Sequence, residues 1–479
     1  MLIKIFLVCI AFFFFQNIEL VAQNNNSWTS SYSSKAVVNL SDRDTPFWGW
    51  ANQNGLVDPN SSNLLNSITL SSPNMKVIRG LKASFHSELL SRFSEENTFF
   101  FPELYGALAT ENFDLRIGRF FRTQVLGQDN TNTIGSLLIG NNANALTGFE
   151  FRNKRFLSVP LFQGYLKYKF TFGNYLLPNN RFVEDAFFHS KDFYLQLHIG
   201  RYRLSAGIIH NVFWGGISPT VGRLPSSLSD FRRAVFNNSA GSGAPSGEQI
   251  NRLGNSVSGY DYAMSYRFDS FDVQISKLFF IEDRPASRHR SPFDGQWNAT
   301  FNLSNSKFIN QIVYDHVNTK RQDARSFEPF GRARYYTHFI YRSGFTNGNF
   351  VLGNPLIEIN LNEDRVGLPI NNVLLAHHIG IQGGFSQKVS YSQKITYSRN
   401  YGSCFDQLVV PGVCDFEPED GIELIPLSEL REDAYYFSSS IEMLLFEPND
   451  ISGSFTLNYD FRGGEQTIGF VLGFKMSVL

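Results

Sequence analysis

Two stretches of this 479-residue chain gather side chains suited to recognising a ligand. Thr45-Pro46-Phe47-Trp48-Gly49-Trp50-Ala51-Asn52-Gln53-Asn54-Gly55 sets two Trp beside amides and glycines, outside any clear strand pattern. His210-Asn211-Val212-Phe213-Trp214-Gly215-Gly216 follows an alternating run and opens a long connector. Trp offers a flat apolar platform with one N–H donor, and Asn, Gln and His supply directional hydrogen bonds. A sugar ring, apolar on one face and hydroxylated at its edge, fits that combination. The same residues also suit a plug or an interfacial aromatic belt, and on residue types alone that plainer reading carries more weight. Trp48, Trp50, Asn52, Gln53, His210 and Trp214 are therefore candidates for polysaccharide binding or for plugging.

Other chemistry is poorly served. The chain has no His-Glu-x-x-His, no Gly-x-Ser-x-Gly and no Walker phosphate loop. His377 and His378 are adjacent in an alternating run, so they face opposite sides and do not share a metal. Glu417, Glu419 and Asp420 do not have EF-hand spacing and read as a solvated acidic loop. The expectation is a protein that is not an enzyme, with no catalytic residues, no cofactor and no metal site. Against 42 Lys and Arg stand 43 Asp and Glu, for a net charge of −1, so nucleic acid is not an expected partner. At 15% aromatic and 18% charged, the composition also argues against disorder.

The first 22 residues read as a signal peptide: Lys4, an apolar run from Ile5 to Phe15, and a small residue at Ala22. That run is too short for a membrane-spanning helix. Export leaves Cys404 and Cys414 in an oxidising compartment within one long connector, and a disulfide between them is expected.

The remaining chain alternates with period two. Ile468, Phe470, Leu472, Phe474, Met476 and Val478 share one face, against Thr467, Gly469, Val471, Gly473, Lys475 and Ser477. Tyr260 to Phe268, Leu166 to Phe172 and Ile451 to Phe461 repeat the pattern. A soluble sandwich alternates in the same way, so the connectors arbitrate. Tight turns at Gly200-Arg201 and Asp269-Ser270 are followed by long stretches, 210–259 and 281–294, and the pattern recurs to 399–433. Short turns at one end and long loops at the other are the mark of an outer-membrane barrel. We expect an all-β fold: a transmembrane antiparallel β-barrel of about eighteen strands, with long extracellular loops and a plug. Strands are counted from Lys76, with Gly148 to Asn153 and Asn349 to Gly353 the weakest. Residues 23–75 would precede or plug the barrel, and 76–479 would form it. Lys167, Lys169, Arg203, Gln196 and His198 would line the lumen. The segment 226–236 reads as a short helix inside the longest loop. The two Trp-containing stretches would then approach one another in the barrel interior.

Five short segments, in order, resemble the capsule-assembly Wzi family in its Bacteroidetes-type version. They are Pro46-Phe47-Trp48 through Gly55, His210 to Gly216, Asn251-Arg252-Leu253-Gly254-Asn255, Gly353-Asn354-Pro355 and Ala376-His377-His378-Ile379-Gly380. The resemblance covers nearly the whole mature chain, but no helical bundle is evident near the N-terminus. It implies an eighteen-stranded outer-membrane barrel with a closed pore. The implied role is lectin-like: helping capsular polysaccharide assemble or attach at the cell surface, in contact with outer-membrane lipid and the polysaccharide export machinery. A porin for small solutes or oligosaccharides is the alternative that the polar lumen faces favour.

Overall fold

The computed structural model describes residues 27–478 except 42–43, 129, 163, 251, 283–285, 290–291, 305, 307, 322–334, 404–430 and 448–449. The first nine long strands are Thr29–Asn39 (β1), Asn63–Ser71 (β2), Leu81–Phe93 (β3), Thr98–Ala109 (β4), Phe113–Phe120 (β5), Leu146–Asn153 (β6), Leu166–Leu176 (β7), Phe187–Ile199 (β8) and Tyr202–Trp214 (β9). The second nine are Asn255–Arg267 (β10), Phe271–Ile281 (β11), Gly295–Leu303 (β12), Ile309–Asn318 (β13), Leu374–Ser386 (β14), Val389–Asn400 (β15), Glu432–Phe446 (β16), Ile451–Arg462 (β17) and Glu465–Ser477 (β18). Each pairs antiparallel with the next, and β1 pairs with β18 from Ser31↔Ser477 to Asn39↔Gly469, so eighteen strands close into a barrel. Closure leaves none of these eighteen strands with an unpaired edge.

Alternation sets the two faces. Ile468 and Leu472 are exposed on the outside, where Phe455 and Phe470 stack at 6.3 Å. Their neighbour Val471 turns inward, to a cluster with Val37, Val57 and Leu65. The lumen wall is built from Ser, Thr, Asn, Gln and Gly, with Gln196 donating to Ser205 and His198 hydrogen-bonded to Gln196. The longest connectors, 40–62, 121–145, 215–254, 319–373 and 401–431, all leave the same end. At the other end, 110–112, 200–201, 268–270 and 387–388 are tight turns. The long-loop end is therefore the outer side.

The number of strands matches the expectation, but their identities do not. Residues 23–75 do not precede the barrel, because Thr29–Asn39 and Asn63–Ser71 are two of its walls. Ser30, Ser31, Ser33 and Ser34 put small polar groups on both faces of the first, which hides its period. Two segments leave the count in exchange. Met75–Ile78 is a short strand beside the Leu81–Phe93 strand, and Phe350–Val351 belongs to a two-residue hairpin inside the lumen.

The core sits in the lumen, toward the outer half. Three inward-folded connectors fill it: 44–62, 121–145 and 335–373. Ile134, Leu137 and Leu138 of the second pack with Tyr336, Phe345 and Leu356 of the third and with Phe47 and Trp48 of the first.

Candidate functional site

Residues 45–55 form a knuckle that enters the lumen between the first two strands. Phe47–Trp50 is one helical turn after Pro46, whose fixed φ suits a helix start. The Phe47 N–H donates to Asp460 on the wall at 2.6 Å. The Phe47 ring meets Trp48 and Trp50 edge-on at 5.1 and 5.6 Å and lies 4.5 Å from Tyr436. Trp48 is only 4% exposed, 5.2 Å from the His378 ring, and the Lys394 ammonium lies 4.3 Å from its centroid. No face of Trp48 is open to a sugar ring. Asn52, Asn54 and Gly55 then take left-handed φ of 55°, 57° and 65°, which turns the chain back on itself. A side chain at Gly55 would sit 2.9 Å from the Asn144 backbone nitrogen, so the turn needs glycine there. Asn52 donates to the Ile134 carbonyl, the Asn54 N–H to the Asn141 carbonyl, and Lys35 on the wall donates to Gln53.

The 121–139 segment has no regular structure, so its amides need partners from elsewhere. Wall carboxylates supply them. Asp261 accepts the Leu126 N–H at 2.7 Å, and Asp315 accepts the Ile134 N–H at 3.0 Å and the Gln128 side chain at 2.7 Å. His378 is hydrogen-bonded to the Asn132 carbonyl and to Thr396, each at 2.8 Å. Arg122 pairs with Asp192 at 2.6 Å and with Glu150 at 3.6 Å. Burial works against the Arg122 charge, yet contact with Tyr175, Glu150 and Asp192 holds it above its ordinary range. At Gly380 a side chain would meet the Asn132 carbonyl at 2.2 Å, so the wall itself makes room for the segment. The third connector is fastened to the second, with Tyr336 donating to the Leu137 carbonyl at 2.6 Å and Asn354 to the Gly135 carbonyl at 3.0 Å. Arg181 donates to the Gly344 and Thr346 carbonyls, and its burial brings its pKa down to about 10. Sequence reasoning passed over the 121–145 plug. Its signal was the apolar run Ile134 to Ile139 inside an Asn-rich, non-alternating connector.

The second stretch is split by its own alternation. Asn211 and Phe213 face the lumen, where Asn211 donates to Gln124 and Phe213 packs 6.3 Å from Tyr341. His210 and Trp214 point outward, away from the barrel axis. Trp214 stacks on Phe187 at 4.8 Å, donates to Asn174, and is covered by Phe231 at 5.4 Å. His210 lies 6.4 Å from His189 under the same cover. That cover is the expected helix, Leu228–Phe236 (α1), begun by a Ser227–Asp230 capping box and ended by Asn237 in the left-handed conformation. Trp48 and Trp214 are thus on opposite sides of the barrel wall, which corrects the expectation that their segments meet inside it. Period two forces that separation, because Phe213 must fill the lumen and its neighbours then face out.

His377 and His378 do face opposite sides, His377 stacking on His316 at 4.6 Å outside. Residues 1–22, Cys404, Cys414, Glu417, Glu419 and Asp420 lie outside the described residues.

A family model described as capsule assembly protein Wzi matches residues 66–357. No curated protein matches the chain. Among solved structures, the fold is similar to Wzi of Escherichia coli, an outer membrane protein involved in group 1 capsule assembly and a carbohydrate-binding β-barrel. The two are 14% identical, the match covers 94% of this chain and 84% of that one, and the TM-score is 0.58. OccK5 (OpdH) of Pseudomonas aeruginosa is 8% identical over 95% of this chain and 99% of its own, with a TM-score of 0.47. OccD3 (OpdP) of the same organism is 9% identical over 96% of each, with a TM-score of 0.46.

Proposed function

We propose a function from one premise: the chain belongs to the Wzi capsule-assembly family, and it is an outer-membrane barrel. On that premise the protein binds capsular polysaccharide at the cell surface and helps it assemble or attach there, without chemical turnover. The observation that carries this reading is the filled lumen. Three outer connectors interlock through Ile134, Leu137, Tyr336, Phe345 and Trp48. The wall carboxylates that would hydrate a porin channel are engaged by plug amides instead. A polysaccharide is then met from outside by the loops that cap the plug, and is not threaded through. Trp48, Trp50, Asn52 and Gln53 hold the plug, and His210 and Trp214 seat the outer cover. These six residues support the loops and do not stack on sugar.

The test pairs folding with binding. Capsular polysaccharide of the source organism is added to detergent-purified protein, with the folded fraction read from heat-modifiable gel mobility. Binding should be saturable, and recovered chains should keep their length. Trp48→Ala and Trp214→Ala should lower the folded or protease-resistant fraction while leaving binding per folded molecule unchanged. Shortened chains would replace the reading with an enzyme. A loss of normalised binding in either variant would return that Trp to the sugar site.

A further inference from the structure

The 215–254 excursion touches the plug at Leu224, in the buried cluster, and at Gly215, whose carbonyl accepts from Tyr341, but its helix does not enter the lumen. Its helix α1 lies on the lipid-side face of the barrel, where Phe231 packs 5.8 Å from His189, 6.5 Å from Phe172 and 5.4 Å from Trp214. These contacts fall on the outer halves of the Leu166–Leu176, Phe187–Ile199 and Tyr202–Trp214 strands. Farther along the same outward faces, Phe193, Leu195, Leu204 and Ile208 are exposed and form the apolar band that meets the membrane. The helix is therefore continuous with that band and sits at the depth of the outer leaflet's interface. Having buried Asp230 and Ala234 against the wall, it still leaves Leu228 77% and Phe236 69% exposed, and Ile250 nearby is 79% exposed. Apolar side chains bordering a lipid band on a short interfacial helix are the arrangement of a membrane-surface contact.

Three cations lie on this wall or on the excursion itself. Lys191 points outward from the Phe187–Ile199 strand, in register with Phe172 on one side and His210 on the other. Arg223 and Arg232 are exposed on the excursion. None of the three has a carboxylate partner among the described residues. A cation on the lipid side of a barrel is costly in hydrocarbon, and it is tolerated near the interface where anionic groups meet it. We propose that α1, Ile250, Lys191, Arg223 and Arg232 form a docking surface for the phosphorylated glycolipid of the outer leaflet. Leu228, Phe236 and Ile250 insert among its acyl chains, and the three cations meet its phosphates.

The experiment uses the full chain in liposomes of phosphatidylethanolamine with lipid A. Environment-sensitive labels are placed on Leu228→Cys, on Phe236→Cys and, as a control on the exposed 94–97 turn at the outer end of a different strand pair, on Glu96→Cys, with Cys404 and Cys414 changed to Ser. Brominated acyl chains should quench the first two labels and spare the third. Bound lipid A, counted by native mass spectrometry, should fall about tenfold or more in Lys191→Gln/Arg223→Gln/Arg232→Gln, because each surface cation near an anionic leaflet contributes about 1 kcal/mol. The same drop is expected when wild-type protein is given dephosphorylated lipid A. Equal quenching at Glu96 and Phe236, or lipid A binding indifferent to the phosphates or the triple change, overturns the proposal. So does equal retention of phosphatidylglycerol, which would make the site one for any anionic lipid. Protection of the labels by a second copy or by polysaccharide would assign the surface to that occupant instead.

Discussion

Asp315 shows how much a single lumen side chain can carry. It accepts from the Ile134 N–H, the Gln128 amide and the Asn298 amide. Removing it leaves buried donors without a partner, which costs roughly 3 kcal/mol or more in total. That energy acts on the docking of the plug, because the flanking strands keep their backbone ladders. Asp315→Ala should therefore leave heat-modifiable mobility intact and expose 121–139 to added protease. On the outer face the controlling term is the lipid. Phe470→Arg should lower barrel stability by about 2–4 kcal/mol near the midplane, while Ser440→Arg on the lumen wall should cost less. Unfolding in urea from liposomes measures both, and equal losses would reverse the facing assignment. That facing was legible in the sequence because Ile468, Phe470, Leu472 and Phe474 alternate with Thr467, Gly469, Gly473 and Lys475. At Ser30 to Ser34 small residues occupy both faces, and there the pattern is silent.

At the scale of the element, the 215–254 excursion contains its own pH dependence. Burial pushes the Glu248 carboxyl up to about 7, against the Gly254 N–H that it accepts. An acid with a raised folded pKa binds its proton more tightly in the folded excursion than when the excursion opens. Its contribution is therefore full below the ordinary glutamate value near 4.5, declines as pH rises, and is gone above about 7. The change is at most roughly 3 kcal/mol of local stability. Amide exchange in Leu228–Phe236, corrected for its intrinsic pH dependence, should show protection falling between pH 5 and 8. Glu248→Gln should flatten that profile and raise protection at pH 8. A profile unchanged by Glu248→Gln would place the pH response elsewhere. The helix itself was readable, since Ser227 and Asp230 announce a capping box. The face it covers was not, because that depends on which strand residues the lumen claims. The His210–Gly216 stretch made the same point: its residue types suggested one site, and alternation divides it between two compartments.

For the whole molecule, the barrel and the plug draw on separate sets of interactions. The wall is a closed ladder from Thr29 to Ser477 whose backbone bonds run from strand to strand. The plug hangs from that wall by side chains such as Asp192, Asp261, Asp315, His378 and Asp460, and coheres through a buried apolar cluster. The strand count and the end-to-end asymmetry of the connectors were visible in the sequence because they are set by local periodicity and turn chemistry. The plug was not, since its partners are one or two hundred residues away, as with Ile134 and Asp315. Separate interaction sets predict separable functions. In planar bilayers the intact protein should show no stable conductance steps, because 121–139 bridges the wall from Asp192 to His378. Replacing 124–139 with a short Gly-Ser linker should produce ion-conducting channels while heat-modifiable mobility persists. If the replaced chain fails to form a barrel at all, the plug is part of the folding core and the separation is wrong. If intact protein already conducts as steadily as the replaced one, the lumen is open and the porin reading regains its ground. Capsular polysaccharide binding measured on the same two proteins then asks whether the plug also shapes the outer loops. A sealed channel that binds and an opened one that does not would make the plug the scaffold of the polysaccharide surface.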